Sequence, residues 1–399
     1  MSDKGPSFRT FTNRRELLEN ILKDDEMEKV INKKINDISS LLARGYQLRT
    51  ISKKLGLGKN ELGILYDFAK TRNSIRHKYS KYDQVYMDTY SASYSTPENV
   101  AMYRAERLKD KSILDIGCGA GMASIFLSMY STVKGFDTNE ERVLMARINN
   151  KKYAGRAIFE NGDGTKLQLM EKEYDTIYSD PLRSSSSRER SLEELQPNPD
   201  HIMDIYREKV REFVFDLPPF LHPERIKNIP GTLEYLSVDG DISRLTLYSN
   251  NDNRRIFQAT SLTRNFSYMS DQRMKPQLGD RVMNYLFVPD ASLFYSGLHG
   301  NYCNELDLKI ISEEKRKALY TGDELIQNFT GDIYEVISVV DPDTLVETLK
   351  TKNIGRVILR YDSPDYYEEQ SKIQSNLNGD DISYIFSFKE RRIVCRKIN

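Results

Sequence analysis

The most constraining feature of the sequence is a glycine-rich loop that directly follows an apolar segment. The segment Ile113-Leu-Asp-Ile-Gly-Cys-Gly-Ala-Gly121 predicts a buried strand that ends at Asp115 and runs into the loop. Glycine permits positive φ and lets the backbone approach a ligand without a Cβ in the way. A helix is predicted next, so its N-terminus and the loop amides face whatever lies over the strand ends. Such a loop alone does not specify the ligand, because several kinds of nucleotide bind to loops of this type. Its glycines are Gly117, Gly119 and Gly121.

From Ala105 onward, the pattern of apolar residues alternates between strands and helices, which predicts a parallel sheet with crossover helices. An Asp239-Gly240 dipeptide suits a tight turn with positive φ, so an antiparallel hairpin is expected over Thr232–Tyr248. The loop Ser184-Ser-Ser-Ser187 interrupts the pattern. Strands are expected at Ser112–Ile116, Thr132–Phe136, Arg156–Glu160, Tyr174–Ser179 and Phe213–Phe215, and helices at Ala123–Tyr130, Glu140–Asn150 and Glu193–Lys209.

The two ends of the chain have patterns of their own, which predicts a helical domain over 1–90, a sheet domain over 91–252 and a small α+β domain over 253–399. Thr12 or Asn13 can cap a first helix, Arg14–Leu22, and a second is expected over Met27–Leu42. Two further short helices, broken at Gly56–Gly58, resemble a helix-turn-helix. In the last third, strands are expected at Tyr334–Val339, Arg356–Tyr361, Ile382–Phe388 and Ile393–Arg396, with a helix at Asp343–Thr351.

Four consecutive strands of the predicted sheet each end in an acid, at the edge where ligands bind in open α/β sheets. Asp115 follows the first strand, and Asp137 follows the second, 22 residues later, where a carboxylate can accept both ribose hydroxyls of an adenosine. Asp163 follows the third strand in Asn161-Gly-Asp-Gly164, where a side chain can meet an adenine amino group. Asp180 ends the fourth strand. Each acid alone could be a loop residue or a helix cap, but four in register favour a ligand site.

These motifs resemble the ordered motifs of class I S-adenosylmethionine-dependent methyltransferases. The flanking segments Ser95-Thr-Pro-Glu-Asn-Val-Ala-Met-Tyr-Arg-Ala-Glu-Arg107 and Pro289-Asp-Ala-Ser-Leu-Phe-Tyr-Ser-Gly-Leu298 resemble the group that has a THUMP-like C-terminal domain. The resemblance implies a Rossmann-like α/β sheet, mostly parallel with an antiparallel last hairpin, and S-adenosyl-L-methionine as cofactor. It also implies that Asp115 and the loop glycines hold the methionine end, Asp137 the ribose and Asp163 the adenine. The implied cofactor-binding residues are Thr96, Asp115, Gly117, Cys118, Gly119, Gly121, Asp137, Thr138, Asp163, Gly164 and Asp180.

The segment after the fourth strand departs from the pattern of this group. The group usually has two arginines after its Asp-Pro step, whereas this chain has Asp180-Pro-Leu-Arg183 with one. The catalytic candidates are Asp180, Pro181 and Arg183. Amino-methylating enzymes usually carry an acid or amide, two prolines and an aromatic residue at this place. A similar run appears one strand later, where Asp216, Pro218, Pro219 and Phe220 are candidate substrate contacts, the alternative being a rigid turn.

A one-sided run of basic residues lies in the N-terminal helices. Between Leu42 and Lys81 there are ten Lys or Arg residues against Glu61 and Asp67, a surplus of eight positive charges. Such a cluster is typical of a phosphate-binding face, although a solvated helical face fits equally. THUMP domains bind RNA, so the resemblance implies a structured RNA substrate, tRNA or rRNA. The residues expected to contact its phosphates are Lys53, Lys54, Arg72 and Arg76.

The rest of the composition excludes several other classes. The 59 basic and 59 acidic residues give no net charge, so nothing global favours nucleic acid. Three scattered cysteines and four histidines lack metal-ligand spacing, so no metal is expected. No apolar run approaches the ~20 residues that span a bilayer, and the first ten residues lack the apolar core of a secretory signal, so a cytoplasmic enzyme is expected. The alternatives are a small-molecule or protein methyltransferase, and a catalytically inactive RNA-binding protein of the same fold.

Overall fold

The computed structural model of the protein describes residues 11–166, 174–183, 192–221, 229–250 and 254–398. The predicted loop at Ser184–Ser187 lies outside them. The described residues group into two compact units, one formed mainly by residues up to Asp216 and the other holding Leu217–Leu221, Ile229–Tyr248 and the residues from Arg254 onward. Within these ranges no helix is both long and apolar enough to cross a membrane.

Between residue 11 and the first strand the chain forms six α-helices, and their ends follow the local sequence. The side chain of Asn13 accepts a hydrogen bond from the backbone N–H of Glu16, which caps the first helix as predicted. Gly56 adopts a left-handed conformation with φ of 64° and ends the third helix, so the predicted break is confirmed. The helices are α1 Arg14–Lys23, α2 Asp25–Ala43, α3 Leu48–Leu55, α4 Lys59–Ile75, α5 Thr89–Tyr94 and α6 Glu98–Arg107.

A parallel sheet forms the centre of the first unit. Its strands are β1 Ser112–Ile116, β2 Thr132–Asp137, β3 Ile158–Asn161, β4 Thr176–Ser179 and β7 Glu212–Leu217, while β5 Leu182–Arg183 and β6 Leu195–Gln196 form a separate antiparallel pair. The parallel strands lie in the order β7-β4-β1-β2-β3, so the direction of winding reverses between β1 and β4. Ligands bind at the carboxyl edge beside such a reversal. The accompanying helices are α7 Met122–Leu127, α8 Glu140–Lys152 and α9 Pro199–Tyr206.

Most predicted strands and helices of this sheet are confirmed within two or three residues, but α9 is much shorter than the predicted helix over Glu193–Lys209. Asn198 caps the helix through its side chain, and Pro199 takes the first helical position. Because proline lacks a backbone N–H and its ring clashes with a preceding turn, the helix cannot extend toward Glu193. The residues before it form a 3₁₀ turn, Leu192–Glu194, and β6.

The N-terminal helices pack within the same compact unit as the sheet, chiefly along α8. Arg15 forms an ion pair with Glu140 at 2.8 Å, and Lys152 pairs with the buried Glu28. The Asn149 amide both accepts from the backbone N–H of Tyr86 (2.8 Å) and donates to its carbonyl (2.9 Å). The division into domains 1–90, 91–252 and 253–399 remains a prediction.

The chain beyond β7 is a mixed α+β arrangement. The predicted hairpin is present as β8 and β9, and its turn has positive φ at both Asp239 (53°) and Gly240 (84°). Strand β10 pairs in parallel with β8, beginning at Arg255 opposite Gly231. A second sheet has the order β13-β14-β12-β15-β18-β17-β16. The strands are β8 Gly231–Val238, β9 Asp241–Asn250, β10 Arg255–Ser261, β11 Phe266–Ser270, β12 Tyr285–Pro289, β13 Lys309–Glu313, β14 Ala318–Gly322, β15 Gly331–Val340, β16 Ile354–Leu359, β17 Asp381–Phe388 and β18 Arg391–Lys397, and the helices are α10 Ala291–Ser296, α11 His299–Glu305, α12 Leu345–Thr351 and α13 Tyr366–Gln374.

Candidate active site

A cleft lies at the carboxyl edge of the parallel sheet, between α5, the loop after β1 and the ends of β2 and β4. The structure brings most of the predicted cofactor residues together here. Those that line the cleft are Thr96, Asp115, Gly117, Cys118, Gly119, Gly121, Asp137 and Asp180.

The glycine loop is shaped by two different requirements. At Gly121, with φ of 84°, an added Cβ would lie 2.7 Å from the Cβ of Ala146 and 2.8 Å from Cζ of Phe159. A side chain there would therefore push α7 away from α8 and β3. At Gly119, with φ of 55°, an added Cβ would meet nothing within 4 Å, because this residue borders the open cleft.

Asp137 is fixed by backbone donors and still has acceptor capacity. One carboxylate oxygen accepts from the N–H of Gly119 at 2.9 Å, and the other accepts from the N–H of Asn139 at 2.8 Å. An ionised carboxylate offers about four acceptor positions, so two remain for the hydroxyls of a ribose. Together with the glycine loop, these free acceptor positions fit an adenosine-containing cofactor.

Asp115 is buried at the base of the cleft. The hydroxyl of Ser124 donates to its carboxylate, which partly offsets the loss of water. Burial raises the pKa of Asp115 to about 7, and the negative charges of Asp180 and Asp137 act in the same direction. A cationic group placed in the cleft would therefore favour the ionised form of this acid.

Asp180 lies directly after β4 and meets the N-terminal helices. The hydroxyl of Thr96 donates to its Oδ2 atom at 3.4 Å, and Thr96 is itself held by the Tyr79 hydroxyl, which donates to its carbonyl at 2.7 Å. Pro181 is buried next to Asp180. Arg183 lies in β5, but its side chain is outside the described residues, so its catalytic role remains a prediction.

Three predicted cofactor residues lie near the cleft without lining it. Asp163 accepts from the hydroxyl (2.6 Å) and the backbone N–H (3.0 Å) of Thr165, and these bonds lower the pKa of its carboxyl group. The carbonyl of Gly164 accepts from the Tyr206 hydroxyl, and Thr138 is exposed between β2 and α8. Their contacts with adenine or ribose remain predictions.

Asp216 is not available to a substrate, so that prediction is wrong. Only 1% of the residue is exposed, and its two carboxylate oxygens accept from Nη1 of Arg104 at 2.6 Å and from the Tyr178 hydroxyl at 2.8 Å. A buried carboxylate needs such partners, because desolvation without them is costly. Arg104 had no signal in the sequence, since α6 reaches β7 only in the folded chain.

The residues that follow β7 form a turn. The N–H of Leu221 donates to the carbonyl of Pro218 at 2.9 Å, which matches the alternative interpretation of this segment. Pro219 is half-buried, and Phe220 is 47% exposed, with its ring 5.3 Å from that of Tyr295. A substrate contact at these residues remains a prediction.

Three of the four predicted phosphate-binding residues are exposed, and one is not. Lys53, Lys54 and Arg76 face solvent. Arg72 is only 1% exposed; its guanidinium donates to the carbonyl of Val85 and to the side chain of Asn36. Arg72 therefore joins α4 to neighbouring segments, and its assignment as a phosphate contact is corrected.

The cleft also contains side chains that sequence reasoning missed, namely Tyr90, Tyr94, Arg142, Tyr178 and Leu182. The spacing of Tyr90 and Tyr94 by four residues, just before the Thr-Pro step at Thr96, is the signal that could have identified the first two.

Nucleophilic and metal chemistry have little support from the described side chains. Burial raises the pKa of Cys118 well above its ordinary value, and it does the same for Cys303 and Cys395. These thiols are therefore protonated at neutral pH. Among the residues that the structure describes, no three His, Cys, Asp or Glu side chains cluster as metal ligands would.

Comparison with known proteins gives a family match and a structural match. Residues 113–196 match a family model described as a methyltransferase domain. No curated protein matches the chain significantly. A protein from Porphyromonas gingivalis W83, described as a candidate methyltransferase, aligns with a TM-score of 0.76 at 15% identity, over 94% of this chain and 99% of that one. A 16S rRNA N2 methyltransferase from T. thermophilus aligns with a TM-score of 0.33 at 20% identity, over 41% of this chain and 45% of that one. The P. gingivalis likeness shows a shared fold.

Proposed function

We propose that this S-adenosylmethionine-dependent methyltransferase acts on RNA. The enzyme class follows from the matched methyltransferase domain and the Rossmann-like fold. When bound, S-adenosyl-L-methionine supplies a methyl group that is activated by the positive charge on its sulfur. We propose that the acceptor is a structured RNA, tRNA or rRNA, and that the predicted domain over 253–399 serves as a THUMP-like RNA-binding domain.

The observation that carries this proposal is an exposed basic face on α3. Arg49 and Lys53 lie one turn apart on the side of α3 away from the buried Ile51, and Lys54, which follows Lys53, is also exposed. In the described part of the chain, no carboxylate approaches these three cations within 4.0 Å. The Lys54 ammonium lies 5.2 Å from the centre of the half-exposed Tyr46 ring. Unpaired cations interleaved with an aromatic ring are typical of nucleic-acid surfaces.

The side chains of the cleft would align the reaction rather than activate it. Asp137 would hold the ribose, and Asp115 with the glycine loop would hold the methionine end. Thr96 orients Asp180 through the bond described above. Asp180 would accept the proton that the acceptor atom loses as the methyl group moves from sulfur to that atom. Holding the two reactants in line, with water removed, accounts for most of the rate enhancement available to such a site.

The test is RNA binding as a function of salt. Phosphate contacts release counterions, so affinity for total tRNA should fall with a log–log slope of about −0.7 to −0.9 per contact. Reversal of Arg49, Lys53 and Lys54 to Glu should weaken binding and flatten the slope by roughly 2–3. The matched control reverses three exposed cations elsewhere in the first unit, Lys109, Arg207 and Lys209.

Filter binding distinguishes the outcomes, with calorimetry of S-adenosylhomocysteine as the check on folding. The proposal requires that the α3 variant loses RNA affinity while both variants keep cofactor affinity. RNA affinity that is indifferent to salt and to the α3 charges would contradict it and favour a small-molecule or protein acceptor. The third outcome is a protein that binds both RNA and cofactor but transfers no methyl group to RNA from cells that lack the gene. It would favour the inactive RNA-binding alternative.

A further inference from the structure

Two exposed tyrosines form an aromatic wall on one side of the cleft. Tyr90 and Tyr94 lie one turn apart on α5, with ring centres 4.9 Å apart and planes inclined at 55°. They are 43% and 50% exposed, and both line the cleft. Large aromatic side chains usually bury most of their surface, so a half-exposed pair inside a cleft offers apolar area to a ligand.

The wall is held in place by α8. Asp88 caps α5 by accepting from the N–H of Ser91 at 2.6 Å, and its other oxygen accepts from Nε of Arg142 at 3.1 Å. The guanidinium of Arg142 also lies 4.4 Å from the centre of the Tyr90 ring. Because Arg142 is in the first turn of the helix that follows Asp137, Tyr90 is fixed near the ribose end of the cleft.

Tyr94 lines the same cleft as Asp180, the acid proposed for proton transfer. Only one residue separates it from Thr96, whose hydroxyl donates to Asp180. The segment after Asp180 supplies no aromatic ring of its own, since the side chain that lines the cleft there is aliphatic, Leu182. The aromatic surface that α5 supplies therefore lines the cleft that also contains Asp180.

We propose that Tyr94 is the stacking platform for the acceptor ring, a nucleobase, whose reactive edge it turns toward Asp180. Every base has a π-face, so such a platform favours flat heteroaromatic rings over aliphatic acceptors. Tyr90, which is held by Arg142, packs against the ring of Tyr94 and supports it. The inference rests on the proposed function, because it takes the acceptor to be a base of RNA.

The test compares Tyr94→Ala with Tyr94→Phe, using methyl transfer from labelled cofactor to total RNA from cells that lack the gene. Loss of the ring should lower kcat/KM for RNA by roughly 5- to 150-fold, the range of a lost base–aromatic stack. Tyr94→Phe keeps the ring and should stay within about threefold of the wild type. S-adenosylhomocysteine affinity should be unchanged in both. The control is Tyr130→Ala, an equally exposed tyrosine beside the opposite, amino end of β1 and β2.

Two results would overturn the inference while leaving the RNA proposal intact. One is a normal kcat/KM for RNA in Tyr94→Ala. The other is a loss of cofactor affinity equal to the loss of kcat/KM, which would mean that the ring covers the cofactor.

If the wild type methylates no RNA, the RNA proposal fails, and the platform is tested by itself. With S-adenosylhomocysteine present, fluorescence of the riboside of 2-aminopurine should be quenched by the wild type and by Tyr94→Phe but not by Tyr94→Ala. Quenching that ignores the substitution, or no quenching at all, would contradict the inference.

Discussion

Asp115 combines two properties that a surface carboxyl group does not have: it is buried, and it lies among other acids. Its raised pKa of about 7 means that the carboxyl group is close to half-protonated at neutral pH. The unfolded chain, by contrast, ionises this group near its ordinary value of 3.8. Between these two pKa values the folded protein binds more protons than the unfolded chain, so Asp115 makes the free energy of unfolding fall as pH rises.

Replacement of Asp115 by Asn should remove that dependence, because the amide can still accept from Ser124 but cannot ionise. The free energy of unfolding of the variant, relative to wild type, should rise between about pH 4 and pH 7 by up to roughly 4 kcal/mol and then level off. Urea denaturation of the cofactor-free protein at several pH values measures it. A difference that does not change with pH would show that Asp115 is already ionised throughout this range.

Asp180 carries the proposed proton transfer, and its loss should separate binding from turnover. Asp180→Ala should bind S-adenosylhomocysteine within a few-fold of wild type, because the ribose is assigned to Asp137. Methyl transfer to RNA should fall by about a hundredfold or more, the range for losing a positioned acceptor. Normal turnover in the variant would mean that Asp180 is a structural residue, whose bond with Thr96 only attaches the segment before α6 to the sheet.

Among the elements, α6 is attached to the sheet by a buried ion pair. Arg104 of α6 contacts Asp216 of β7, and Tyr178 of β4 donates to the same carboxylate. Removing one partner of such a pair leaves an uncompensated buried charge, whereas replacing both by apolar residues is often tolerated.

We therefore expect Arg104→Ala to lower the free energy of unfolding by about 3–5 kcal/mol. The double variant Arg104→Met with Asp216→Leu should recover most of that loss, since it buries no unpaired charge. Chemical denaturation followed by circular dichroism compares them. An additive loss in the double variant would mean that the pair contributes little as a pair.

The elements were predictable from sequence where the signal is local. The strand β1, its glycine loop and the four acids at or after the carboxyl ends of strands are marked by short local patterns of sequence, and Asn13 and Gly56 mark helix ends by their own chemistry. The contacts of Arg72, Arg104 and Asp216 were not predictable in this way. Each of these contacts depends on a partner more than ten residues away in the sequence. The sequence does not distinguish a charged residue that is exposed from one that is paired inside the fold.

The cleft follows the same rule. Its floor comes from β1 and β2 and was predicted, whereas its aromatic wall comes from α5, which precedes the sheet in sequence. The spacing of Tyr90 and Tyr94, just before the Thr-Pro step, indicates that both rings share one face of a helix, but it does not say which surface that face meets. Arg142 is one of many basic residues. Only the packing of α5 against α8 brings these three side chains to the cofactor loop.

At the scale of the whole molecule, net charge conceals the distribution of charge. The 59 basic and 59 acidic residues balance, yet the helices from Leu42 to Lys81 carry a surplus of eight positive charges. Electrostatic attraction to RNA depends on that local surplus more than on the total. The pairing of β10 with β8 also limits how the chain can be truncated, because removal of the residues from about Asn253 onward would break this sheet. Point substitutions are therefore a better test of RNA binding than truncation.

All the described residues that line the cleft belong to the first unit, and the central claim is that S-adenosylmethionine binds there. Calorimetric titration with S-adenosylmethionine or its product tests it most directly, comparing wild type, Asp137→Ala and the control Asp110→Asn, which lies at the amino end of β1. We predict micromolar binding to wild type and to the control. Asp137→Ala should bind more weakly by roughly 1.5–3 kcal/mol, because the ribose hydroxyls and the Gly119 N–H lose their acceptor. No binding to wild type, or equal binding to all three proteins, would contradict the account.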